Sequence, residues 1–310
     1  MDFVCSWLSR SNLQSATDST PEARLRHARL SAKVPDRQSN SESGGALKLT
    51  WRFSLFFGLS VFAGSCCAQT QSSSDGPEAN PGRPTVSTPA TLTPTGFLQF
   101  ETGVLGASTS PEFSSRFGPN EVIKLTVAPR LELLAAGEPV DYSTANGRAA
   151  TSVADIFLGA QAVLTRGEGS KPTVAVSYFH RVYDGGAPDL DVGSPTNSFL
   201  VLASADVKGF HYDANAIFNE LSEGPVRRAQ FGQTLSISHS IGGKFTLSGE
   251  IWHFTQPFLH GHALGNLWAV SYAARKTLVL DAGFNRGLTT TSTHWEVFAG
   301  FTYLLPHRLW

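Results

Sequence analysis

A single antiparallel transmembrane β-barrel of about twelve strands, of the bacterial outer-membrane kind, is the fold class this sequence predicts. Three observations predict it. From Thr95 onward, short segments alternate apolar with polar or small side chains, the period of strands with two different faces. The connections between them alternate long and short, as in barrels with external loops and periplasmic turns. Ahead of them lies an apolar run flanked by basic and small residues, the pattern of a secretory signal.

Composition agrees. Of 310 residues only 16% are charged, and mean hydropathy is near zero. No run of eighteen apolar residues appears, so transmembrane helices are excluded. A β-barrel hides its membrane character because lipid-facing and lumen-facing residues average out. The formal net charge is −1. Residues 1–68 hold eight Lys/Arg against five Asp/Glu, and residues 69–310 hold sixteen against twenty. No basic patch stands out, so nucleic acid is not an expected partner. The three cysteines, Cys5, Cys66 and Cys67, precede the barrel segment, which leaves that segment without disulfides, thiol catalysis or Cys-based metal sites.

The elements follow in order. Residues 1–47 are polar, Ser- and Arg-rich, and are set aside as a disordered or mis-assigned extension. Either the native start lies further in, or this is a long n-region. Residues 48–68 read as a signal peptide: Lys48 and Arg52, the apolar run Phe53–Ala63, then small residues with cleavage after Ala68. Ala63-Gly64-Ser65-Cys66 is a weak lipoprotein signal that would lipidate Cys66. Residues 69–94 are dense in Ser, Thr, Pro, Gly and Asn and read as a flexible periplasmic leader.

Residues 95–305 form the barrel, with strands at 96–105, 121–128, 130–136, 153–165, 173–183, 196–207, 210–219, 228–240, 244–254, 264–275, 277–286 and 294–305. The long connections are 106–120, 137–152, 184–195, 220–227, 255–263 and 287–293. The short ones fall at Ala128-Pro129, 166–172, Lys208-Gly209, Ile241-Gly242-Gly243 and Arg275-Lys276. An even strand count after a periplasmic leader puts both barrel ends in the periplasm. Residues 306–310 are a tail, in which Pro306-His307-Arg308 interrupts the alternation before Trp310.

Facing is legible strand by strand. Trp295, Val297, Ala299, Phe301 and Tyr303 oppose Glu296, Phe298, Gly300 and Thr302. Leu278, Leu280, Ala282 and Phe284 oppose Asp281, Gly283 and Asn285; Phe245, Leu247 and Ile251 oppose Thr246, Ser248 and Glu250. Tyr212, Ala214, Ala216 and Phe218 oppose His211, Asp213, Asn215 and Asn219. Trp252, Trp268, Tyr272, Trp295 and Tyr303 suit aromatic girdles.

Several segments resemble a known family. Gly96-Phe97-Leu98-Gln99-Phe100-Glu101-Thr102-Gly103 is similar to its opening strand, and Leu125-Thr126-Val127-Ala128-Pro129-Arg130-Leu131-Glu132-Leu133 to its early hairpin. Ala154-Asp155-Ile156-Phe157-Leu158-Gly159, Tyr212-Asp213-Ala214-Asn215 and Trp295 through Tyr303 complete the likeness. The family is the outer-membrane barrels named for the MetA pathway of phenol degradation, described as transporters. The resemblance spans roughly residues 95–305 and implies a barrel that passes small solutes.

The candidate lumen-lining residues are Gln99, Glu101, Lys124, Arg130, Glu132, Asp155, Arg181, Asp213, Asn215, Glu250, Asp281 and Glu296, with Gln161, Asp206 and Lys208 beside them. Nearly balanced signs favour an internal salt-bridge network over a strongly ion-selective conduit. His253, His260 and His262 could hold a metal, and Asp184, Asp189 and Asp191 could hold Ca²⁺. Solvated loops are the simpler reading of both, so no metal and no cofactor are expected. Ser238-His239-Ser240 invites comparison with outer-membrane lipid hydrolases. Adjacent strand residues point to opposite faces, however, and the turn at 241–243 is periplasmic.

The expected function is therefore a non-enzymatic channel or transporter for small solutes, with hydrophobic or aromatic ones among the candidates. The alternatives are an outer-membrane lipid hydrolase and a structural barrel with a plugged lumen. The expected location is the bacterial outer membrane, reached through the periplasm. The expected partners are outer-membrane lipid, lipopolysaccharide, the barrel-assembly machinery and a small solute.

Overall fold

The computed structural model describes residues 76–188 and 194–310. The signal peptide, the extension before it, and Asp189 and Asp191 lie outside the described residues.

Among the described residues there are fourteen antiparallel strands, and twelve of them close a barrel. The barrel strands are β1 (Leu98–Ser108), β2 (Ser115–Ala128), β3 (Leu131–Gly137), β6 (Ile156–Thr165), β7 (Thr173–Tyr183), β8 (Ser194–Val207), β9 (Phe210–Glu223), β10 (Val226–Ile241), β11 (Phe245–Gln256), β12 (Gly261–Arg275), β13 (Leu278–Gly287) and β14 (Trp295–Leu304). Each pairs with its neighbour in the chain, β3 with β6, and β14 closes onto β1. Closure leaves no bare barrel edge, which hydrocarbon would not tolerate.

Both ends of the barrel segment, Leu98 and Leu304, lie at the end of the short turns. The other end is less regular than the sequence rhythm predicts. Strands β4 (Asp141–Ala145) and β5 (Arg148–Ser152) form a hairpin that extends from β2 within the 137–152 connection. The connection predicted at 220–227 shrinks to Gly224-Pro225, because β9 and β10 stay paired out to Glu223↔Val226. Arg227 and Glu220 join across that ladder at 2.7 Å. Polar side chains thus carry the strands past their apolar part.

The predicted facing holds in detail. Val297, Phe301, Leu280, Phe284, Phe245, Leu247, Ile251 and Phe218 are exposed on the outer wall. Thr302, Asp281, Asn285, Ser248, Glu250, Asp213 and Asn215 are buried on the inner one. The outer wall is a continuous apolar belt far larger than the patches an aqueous protein leaves bare. Of the predicted girdle, Trp268 and Trp295 are about half exposed on this face.

Trp252 is the correction: it points inward and is 7% exposed, donating Nε1–H to Asn285 Oδ1 at 2.8 Å. Gly265 across the ladder makes the room, since a Cβ there would lie 2.2 Å from the indole. The register already says so, because Trp252 shares the parity of Ser248 and Glu250.

The belt gives the first prediction. Ile251→Arg sits mid-belt and should cost about 2–4 kcal/mol in urea-dependent folding into lipid vesicles. Leu309→Arg, at an equally exposed residue beyond β14, should be nearly neutral in the same titration.

Candidate functional site

The lumen is not empty. Residues 79–93, within the stretch whose composition predicts a flexible leader, run as an extended strap across the inside of the wall. Ser87 and Ala90 are fully buried, and Thr93 nearly so. The strap enters at the short-turn end, where Ala79 N–H donates to Lys276 O at 2.8 Å. It leaves at the same end, where Gly96 N–H donates to Thr126 O at 2.8 Å.

A strap without a ladder must satisfy its backbone elsewhere. It does so on the side chains that alternation turns inward. Asn80 N–H donates to Gln99 Oε1, and Gln99 Nε2 donates back to Asn80 O, both at 2.8 Å. Glu101 accepts from the N–H groups of Gly82 and Arg83 at 2.9 and 3.2 Å, and pairs with Lys124 at 2.5 Å. Glu250 accepts from Val86 N–H and Ser87 N–H, both at 2.7 Å, and from Ser87 Oγ at 2.6 Å. Asn215 brackets Thr88, accepting its N–H at 2.6 Å and donating to its carbonyl at 2.9 Å. Glu132 accepts from Thr93 N–H at 3.0 Å and Oγ1 at 2.6 Å. Gln161 donates to Pro89 O at 2.9 Å.

Ser204 Oγ accepts from Ala90 N–H at 2.7 Å and donates to Asp213 at 2.5 Å, and a ring nitrogen of His211 lies 3.2 Å from the same carboxylate. Apolar contact adds to these bonds. Ala90 and Leu92 of the strap pack on the inward side chains Val163, Ala175, Leu200 and Leu202.

The one charge of the strap is Arg83. Its Nε and Nη2 engage both oxygens of Asp281 at 3.2 and 3.1 Å, and Nη1 donates to Asn120 Oδ1 at 3.0 Å. The guanidinium carbon lies 5.9 Å from the centre of the Phe298 ring. It fits because Gly103 and Gly300 flank it. A Cβ on either would come within 2.5 and 2.8 Å of the guanidinium.

Toward the long-loop end lies a vestibule of about 370 Å³, lined by Arg116, Asn120, Glu138, Asp155, Leu221 and Phe254 among others. Two arginines hold acids around it: Arg116 pairs with Asp141 at 2.6 Å and with Glu138, and Arg181 with Asp155 at 2.9 Å. Burial pushes the Glu138 carboxyl above its ordinary value, and Arg116 opposes that shift.

Ten of the twelve candidate lumen residues therefore have inward, engaged or buried side chains: Gln99, Glu101, Lys124, Glu132, Asp155, Arg181, Asp213, Asn215, Glu250 and Asp281. Glu296 shares the inward row of Ala107 and Asn285 near the long-loop end. Arg130 is the correction: it sits in the turn before β3, exposed, and donates to Leu164 O at the rim. The turn lies beyond the ladder, so strand parity does not apply there. Asp206 and Lys208 are likewise at the short-turn rim, Asp206 paired with His211.

Arg83, Ser87, Thr93 and Ser204 escape sequence reading. The one local hint is that a solvated tether would carry more charge than 79–93 does.

The other candidates separate. Ser238 and His239 lie on opposite faces, and His239 Nδ1 engages Gly209 O at 2.9 Å at the short-turn end. His253 and His262 stack on the outside with ring nitrogens 3.1 Å apart. Asp184 pairs with Arg181 at 3.2 Å.

Strap docking gives the second prediction. In a chain with Cys5, Cys66 and Cys67 replaced by Ser, Ala90→Cys should resist maleimide. Adding Glu250→Ala removes three acceptor bonds, worth about 2 kcal/mol, and should speed labelling roughly 30-fold. An unchanged rate would mean that the strap is held by something other than these bonds.

No family model and no curated protein matches the sequence. Among solved structures, the fold is similar to an outer-membrane channel from Pseudomonas putida F1, at 12% identity and a TM-score of 0.51 over 74% of this chain and 100% of that one. The NanC porin and the KdgM porin in complex with disordered oligogalacturonate each match at 10% identity and a TM-score of 0.45, over 66% of this chain and 98% of theirs. The first likeness, with the closed twelve-stranded ring and its apolar belt, shows the outer-membrane β-barrel fold.

Proposed function

We propose that this chain is a channel for small solutes in the bacterial outer membrane, reached through the periplasm, with its bore set by the 79–93 strap. One observation carries the reading: the lumen holds a segment fastened mainly by hydrogen bonds to polar side chains, not by a sealed apolar core. Such bonds exchange readily with water, so the strap narrows the lumen in a way that can be undone. The short motifs that resemble those of the MetA-pathway barrels support the same reading. The chemistry is passage and not turnover. Lipid and lipopolysaccharide surround the apolar belt, and the assembly machinery inserts it.

A second reading is favoured by the complete burial of Ser87 and Ala90: a structural barrel whose plug never leaves. Bilayer recordings distinguish the two. The refolded full chain should give small conductance steps, and the strap-loosened chain Glu132→Ala/Glu250→Ala steps several-fold larger or more frequent. A lipid-inserted, heat-modifiable barrel that conducts in neither form would establish the sealed barrel and overturn the channel.

A further inference from the structure

We infer that the slot around Arg83 is a guanidinium-binding site of the lumen, filled here by the strap's own side chain, and that the solutes admitted are organic cations of that class. This rests on the channel reading above.

The slot has the features such a ligand needs. Asp281 offers two carboxylate oxygens in the fork geometry that guanidinium matches. Asn120 adds a third acceptor, and Phe298 an aromatic face. Gly103 and Gly300 shape the floor, because any side chain at either position would occupy the guanidinium's place. These wall residues come from four strands of the closed barrel.

The slot is also reachable. Asn120 both accepts from Arg83 and lines the vestibule, so the slot lies at the vestibule floor.

Charge points the same way. With the strap in place, Glu101, Glu132 and Glu250 are served by its N–H groups and Asp281 by its arginine. Once the strap withdraws, these acceptors face the bore, with Lys124 tied to Glu101 and His211 to the neighbouring Asp213. Carboxylates that face a bore favour cations. The balanced signs read from sequence counted cations that lie elsewhere: Arg130 at the rim, and Arg181 paired in the vestibule region. Opposite the acidic side, Val163, Leu200 and Leu202 give the lumen an apolar wall, which suits a cation with a hydrocarbon body.

Chemical rescue in the full chain tests this. Arg83→Ala, made in the Ala90→Cys background, should label faster than its parent. Millimolar guanidinium or methylguanidinium should return the rate to that of the parent, and tetramethylammonium or urea should not. Gly300→Ala added to Arg83→Ala fills the slot without changing charge and should abolish the rescue; Asp281→Asn is the second variant, should Gly300→Ala impair folding. Rescue absent, or equal for all four compounds, overturns the site.

In bilayers, the Arg83→Ala chain should favour potassium over chloride in its reversal potential, and guanidinium should reduce the potassium current. Conductance with chloride preference overturns the cation inference while leaving the channel standing. A barrel with no conductance overturns the channel and the solute class together, whereas rescue of labelling reads the slot independently of conduction.

Discussion

Everything inside this barrel depends on one exchange. Wall carboxylates that would be costly to bury meet backbone N–H groups that have no ladder to join. Glu101, Glu132 and Glu250 take the N–H groups of Gly82, Arg83, Val86, Ser87 and Thr93. Each side solves the other's problem. Remove the strap and the wall presents bare acids; remove the acids and the strap carries unsatisfied amides. Gln99 and Asn215 do the same with neutral amides, imitating a missing neighbour strand by offering both a donor and an acceptor.

The division between legible and illegible features follows distance along the chain. The wall was legible because a strand's two faces are written locally, residue by residue. Trp252 is legible as well, since it has the parity of Ser248 and Glu250, although its size fits a girdle. The strap was illegible because its partners are remote: Arg83 bonds 198 residues ahead, and Ser87 163 residues ahead. Composition gave the opposite impression, since Ser, Thr, Pro and Gly lack the apolar area to order themselves. Here order is supplied from outside by a wall that needs donors. The loop rhythm was legible as topology and less so as length, since β9 and β10 stay paired into what reads as loop.

The candidate site shows the same division. Ten lumen residues followed from periodicity, yet their purpose did not. A list of inward charges says nothing about which are paired with one another and which with an invisible segment. Sorting them by partner turns a neutral-looking inventory into a cluster of acids served by the chain's own backbone and arginine.

The strap begins at Lys276 and ends at Thr126, both on the short-turn side. It is therefore a loop pushed in from one end and not a thread passed through. It can be drawn out sideways toward that end without moving a free terminus through the bore. Its acceptors also impose an order on assembly. Glu250 and Asp281 belong to β11 and β13, which leave the ribosome more than 160 residues after the strap that they hold. The segment made first is thus held by partners that are made among the last.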